Sequence, residues 1–163
     1  MGENTGSSKR KSYVEKKDVL SMNENAELLN FIYQNSQMGV ETIQQLMGIV
    51  RDEKFKKQLE SQFKEYEEIH STARKMLNEK GYDEKGISAM EKIRTYLMLN
   101  MQTMTDKSSS HIAEMLIIGS NMGIINAVKN LKKYKGVEAK IRSLMERLLI
   151  FEENNVQRLK EFL

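Results

Sequence analysis

An all-α fold is predicted for this chain by three observations. Proline is absent from all 163 residues, so no residue removes a backbone donor or blocks a helical turn. Charged residues make up 30% and aromatics only 7%, a balance rich in Leu, Met, Ile, Glu and Lys that favours helix. Apolar positions recur every three or four residues over four stretches of similar length, the period of a helix with one buried face. The length suits one domain with its own core.

The first twenty residues carry Gly2, Gly6, Ser7 and Ser8, then Lys9, Arg10, Lys11, Lys16 and Lys17. So little apolar surface does not offset the entropy of ordering, and a disordered, solvated basic tail over 1–20 is expected, its alternative an anionic-surface anchor or docking arm, with the folded domain at 21–163. Ser21-Met22-Asn23-Glu24 reads as a capping box before the seam Leu29, Tyr33, Ser36, Val40, Ile43, Met47 and Val50. A helix over about 24–50 is predicted. Asp52 in the hinge can cap a second helix over about 54–80, whose seam is Leu59, Phe63, Tyr66, His70, Ala73 and Leu77 and whose left-handed cap is Gly81. So short a hinge makes these two helices antiparallel neighbours.

A crossover follows. Ser88-Ala89-Met90-Glu91 repeats the capping pattern before Ile93, Leu97, Met101 and Met104, predicting a shorter helix over about 88–105, and Ser108 to Ser110 mark a restart. The helix predicted over 109–134 is apolar on most of its circumference, through Ile112, Leu116, Ile118, Met122 and Ile125 among others, and is expected to be covered on several sides. Gly119 and Gly123 leave room on it for a close neighbour. Lys132, Lys133 and Lys135 suit its C-terminal end, Gly136 closes it, and a last helix over 137–163 carries Ile141, Met145, Leu148, Phe151, Asn155, Leu159 and Phe162. A helix of about 18 residues in the connection spans about 27 Å, enough to climb the bundle and set the second hairpin's start at the far end.

With that topology, residues 24–163 resemble the ferritin-like superfamily: a four-helix bundle of two hairpins joined by one long crossover. The runs Ile112-Ala113-Glu114-Met115-Leu116-Ile117 and Phe151-Glu152-Glu153-Asn154-Asn155 look most like small bacterial ferritin-like families of unknown function. The resemblance implies a mid-height site built from one Glu on the first and third long helices and Glu-x-x-His on the second and fourth. Glu67 and His70 match on the second helix, and Glu152 with Asn155 stand at the corresponding place on the fourth. Asn155 replaces the second His, Ser36 or Gln37 stands where the first Glu belongs, and Ser120 or Asn121 where the third belongs.

These losses matter chemically, because two divalent ions need several carboxylates to offset their charge. Glu67, His70, Glu152 and Asn155 are the candidate ligands for one divalent ion, Fe, Mn or Zn. The competing expectation is a buried polar layer without a cofactor or catalytic residue, in which His70 pairs with Glu67 or Glu152 while Ser36, Gln37, Asn121 and Asn155 satisfy the remainder. The function expected is therefore a non-enzymatic ferritin-like bundle, and the alternative a metal-binding relative in metal or oxidative-stress handling. Met98, Met101 and Met104 could offer thioethers to Cu(I), but methionine is also a packing residue.

Composition removes other classes. Without cysteine there is neither disulfide nor thiolate chemistry. A net charge of +3, with Lys and Glu interleaved, gives no concentrated basic stripe, so no nucleic-acid partner is expected. No apolar run reaches the roughly 18 residues of a spanning helix and no hydrophobic leader is present, so the expected address is cytoplasmic, without a membrane. Phe31 and Met38, off the main seam, and the apolar excess of 109–134 point to a homodimer.

Overall fold

The computed structural model describes residues 5–85 and 87–163. Among them every regular element is helical: α1 Thr5–Met47, α2 Glu53–Glu79, α3 Glu91–Gln102, α4 Ser109–Lys133 and α5 Ala139–Leu159, with 3-10 turns at Ile87–Met90 and Lys160–Phe162. The stop signals act as read. Asp52 Oδ1 accepts from Phe55 N at 2.7 Å, and Ser108 Oγ accepts from His111 N at 3.2 Å, satisfying first-turn donors of α2 and α4. Gly81 has φ +69°, and Tyr82 N donates back to Leu77 O at 2.9 Å, closing α2 with the left-handed residue that glycine adopts without a Cβ clash. The side chain of Ser88, expected to cap the crossover helix, lies outside the described residues.

Helices α1 and α2 pack as one hairpin and α4 and α5 as another, α5 touches both α1 and α2, and α3 lies on α4. One core joins them, with Leu28, Ile32, Ile43, Leu59, Ile69, Ile112, Met145 and Leu148 among its buried side chains. The buried face of α2 is Phe55, Leu59, Gln62, Tyr66, Ile69, Ala73 and Leu77. Gln62 and Ile69 thus take the inward places predicted for Phe63 and His70, which sit on the flank.

The first helix departs from expectation. It begins at Thr5, so the described part of the segment expected to be a disordered tail is helical, although residues 6–20 bury nothing; residues 1–4 lie outside the described region. The supposed capping box caps no helix. Ser21 Oγ donates to Gly136 O at 3.1 Å, Glu24 Oε2 accepts from Gly136 N at 3.0 Å, and Asn25 Oδ1 accepts from Glu138 N at 2.9 Å. These side chains clasp the α4–α5 turn, so the helix runs through them.

The stretch covered on several sides is also not the expected one. The crossover chain passes over α1, where buried Asn30 donates to Asp83 O at 3.1 Å and accepts from Lys85 N at 2.8 Å, and Gln34 Oε1 accepts from Ala89 N at 3.2 Å. Phe31 and Met38, expected to be left exposed, are buried. Helix α4 instead keeps Ile118 and Ile125 exposed. By length and composition α4 is apolar enough to cross a membrane, contrary to the expectation that no segment would be; here it packs on α5 and α3.

Candidate functional site

The centre of the bundle holds a polar layer, and glycine makes room for it. A Cβ at Gly39 of α1 would lie 2.5 Å from the ring of Tyr66, so only glycine lets that ring cross the α1 backbone. Phe151 meets the same ring edge-on, with centroids 4.7 Å apart and planes at 80°. So placed, Tyr66 Oη donates to Glu152 Oε1 at 2.7 Å. Asn155, one turn along α5 from Glu152, is buried with it, and Ser120 of α4 lies beside the pair.

A cavity of about 30 Å³ adjoins this pair, with Asn35, Thr42, Gln62, Tyr66, Ser120 and Glu152 among its polar lining. That is room for one or two water-sized guests. Glu152 Oε2, Asn35 Oδ1, Gln62 Nε2 and Asn155 Nδ2 are buried and have no protein hydrogen-bond partner. Among the described residues no Lys, Arg or His is in the cavity wall. Burial without a cationic neighbour pushes the Glu152 carboxyl up to about 7, against the smaller opposing pull of its hydrogen bonds with Tyr66 and Ser120. Burial, then the neighbouring Glu152 charge, hold the Tyr66 phenol well above its ordinary range. The pair therefore takes up one proton beyond the phenol's own as pH falls through about 7.

Of the four residues expected as ligands, two meet here and two do not. Glu152 and Asn155 share the buried layer. His70 lies on the flank of α2, its ring stacked on Tyr33 with centroids 4.5 Å apart. Its Nδ1 is 3.2 Å from Tyr33 O, and since a carbonyl only accepts, that nitrogen carries the hydrogen. Ser36 Oγ donates to Ile32 O at 2.7 Å and lies 3.4 Å from the same Nδ1. Glu67 is exposed, and with His70, Lys64 and Arg147 it lines an open depression separate from the cavity. No hydrogen bond joins His70 to Glu67 or Glu152 among the described residues, so the expected buried pair is replaced by a histidine bound to the α1 backbone.

Two further members of the expected layer also lie elsewhere. Asn121 is exposed, and Gln37 Nε2 donates to Glu41 Oε1 at 3.2 Å on the flank of α1. The residues that do complete the layer, Tyr66, Gly39, Asn35 and Gln62, were not read as site residues. The available signal was Tyr66 itself, a seam residue directly before Glu67, with a glycine opposite it across the hairpin.

This donor set does not fit a two-metal centre. One carboxylate, a phenol, amides and a hydroxyl bring too little negative charge for two divalent ions, and no imidazole reaches the cavity. Among the described residues no three His, Asp or Glu side chains gather at one point. Compared with known protein families, curated proteins and solved structures, the chain matches none.

Proposed function

We propose that this chain is a ferritin-like bundle acting without catalysis, as an interaction or stress-related scaffold, in which a protonatable polar layer stands in place of a metal pair. The observation that carries the reading is the Tyr66–Glu152 hydrogen bond. It occupies the inward place on α2 where the family plan requires a ligand, and it presents a carboxyl that its surroundings favour in the neutral form. The two-hairpin order with α3 between the hairpins supports the ferritin-like part of the proposal. A buried polar layer of this kind fixes helix register, because any sliding strands its members without partners.

The test is metal analysis of untagged protein, with thermal melts in the presence of Fe(II), Mn(II) and Zn(II) and oxygen uptake on adding Fe(II). Absence of bound metal and unchanged melting are expected. Stoichiometric iron with oxygen uptake would overturn the proposal. A second reading, one small cation in the cavity, is favoured by the unpartnered Glu152 Oε2 and Asn35 Oδ1. It requires a melting gain that vanishes in Glu152→Gln and survives in His70→Ala. A homodimer in the cytoplasm remains the proposed assembly, with Ile118 and Ile125 on its contact face, and mass by light scattering at micromolar concentration tests the stoichiometry.

A further inference from the structure

The N-terminal part of α1 gives a linear sequence feature a direction that a disordered tail would not have. At 3.6 residues per turn, Lys9, Arg10, Tyr13, Lys16, Lys17 and Leu20 fall within about 120° of the helix circumference. Four of the five cations between Thr5 and Leu20 share that face, while the segment's two acids, Glu15 and Asp18, lie on the other side. Tyr13 and Leu20 are 71% and 63% exposed, so the middle of the face is apolar and wet. Among the described residues none of the four cations has an acidic partner within 4.0 Å.

The orientation of this face on the bundle is set by the clasp already described. Glu24 falls at an angle inside the same arc, and it holds Gly136 N at 3.0 Å. The face therefore emerges on the side of the α4–α5 turn, where Lys132, Lys133 and Lys135 are exposed. The nearby Lys80 is neutralised by Glu138 at 2.6 Å and adds nothing. Sixteen residues of helix, about 24 Å long, carry this face beyond the packed core. An unpacked helix of that length is marginal in water, and its continuity with the packed part of α1 supplies the nucleus it needs.

We propose that this face docks on an anionic lipid bilayer, with its cations at the headgroups and Tyr13 and Leu20 at the acyl boundary. Charge complementarity selects an anionic partner. The exposed Tyr13 and Leu20 between the cations select lipid over nucleic acid, because a phosphate groove offers Leu20 no apolar contact whereas a bilayer interface takes both side chains. The sequence alone favours a solvated tail over an anionic-surface anchor; the helix gives these cations one face and a direction.

The experiment is co-sedimentation of the full chain with vesicles of phosphatidylcholine alone and of phosphatidylcholine mixed with phosphatidylserine. Binding is expected only to the mixed vesicles. Each cation held at an anionic surface contributes about fivefold, so two of the four at full strength already give about 25-fold, and the quadruple variant Lys9→Gln, Arg10→Gln, Lys16→Gln, Lys17→Gln is expected to lose about tenfold or more. The pair Tyr13→Ser, Leu20→Ser should weaken binding severalfold with every charge kept. All six side chains are exposed, so melting temperature is expected to stay at the wild-type value and the comparison does not depend on folding. Equal sedimentation with both vesicle types, or with neither, overturns the proposal. So does a Tyr13/Leu20 variant that binds mixed vesicles as wild type does, and tighter binding to duplex RNA in the same buffer would assign the face to nucleic acid.

Discussion

Replacing Glu152 by Gln should remove a pH dependence of stability that the buried carboxyl imposes. Folding raises this group from 4.5 to about 7, so the folded state holds a proton that the unfolded chain releases. Its favourable contribution is complete below about pH 4.5 and is lost as pH rises through about 7. A rise of about 2.5 units at about 1.36 kcal/mol each gives a loss of roughly 3 kcal/mol across that window. For a chain of this size that is about 6–12 °C of melting temperature. The amide keeps an oxygen acceptor for Tyr66 Oη and cannot ionise. Thermal or urea melts of wild type and Glu152→Gln should therefore converge near pH 4 and separate by about 3 kcal/mol near pH 8.5, the variant being the more stable there. His70 and His111 are present in both proteins and cancel in the difference. Parallel profiles would refute the assignment of a buried, proton-holding carboxyl.

Gly39→Ala should cost about 1–3 kcal/mol in chemical denaturation, because its Cβ would meet the Tyr66 ring at 2.5 Å and that ring is held by both Glu152 and Phe151. Gly119→Ala should be neutral or slightly stabilising, since its nearest contact is the movable Leu97 Cδ2 at 3.0 Å and alanine gains about 1 kcal/mol over glycine in a helix. Asn30→Ala strands Asp83 O and Lys85 N and should cost about 1–3 kcal/mol, read in urea melts, with faster amide exchange over residues 82–85. Asp52→Ala should lose about 1 kcal/mol through the Phe55 amide alone, and Asp52→Asn should restore most of it.

The helix ends were legible because their signals are local. Asp52, Gly81 and Ser108 act on donors or carbonyls within a few residues, and the expected boundaries near them lie close to those found. The start of α1 was not legible for the opposite reason. Ser21 and Glu24 have the spacing of a capping box, but their partners are 115 and 112 residues away, and no local rule separates the two uses. In the site, Glu152 and Asn155, both named from the sequence, lie in the buried layer with Ser120 beside them. On α2 the seam residues Leu59, Tyr66, Ala73 and Leu77 are buried as read, and only Phe63 and His70 give way to their neighbours Gln62 and Ile69, one residue or about 100° away, which leaves Glu67 outside. Three- and four-residue steps allow either Phe63 with His70 or Gln62 with Ile69 in the seam. Gly39, whose missing side chain admits the Tyr66 ring, fixes Tyr66 inward in either case.

The clasp between α1 and the α4–α5 turn also bears on the order in which the chain folds. Within each hairpin the helices meet through a short turn, so their contacts close small loops and can form early. Asn25 and Glu138 are 113 residues apart, and joining them carries the larger entropy of a long loop for a few partly exposed hydrogen bonds. This junction is therefore expected to form after both hairpins and to open before either. In native-state hydrogen exchange, the amides of Gly136 and Glu138 should exchange through a local opening well below the global unfolding energy, while those around Ile69 and Leu148 wait for the whole bundle to come apart.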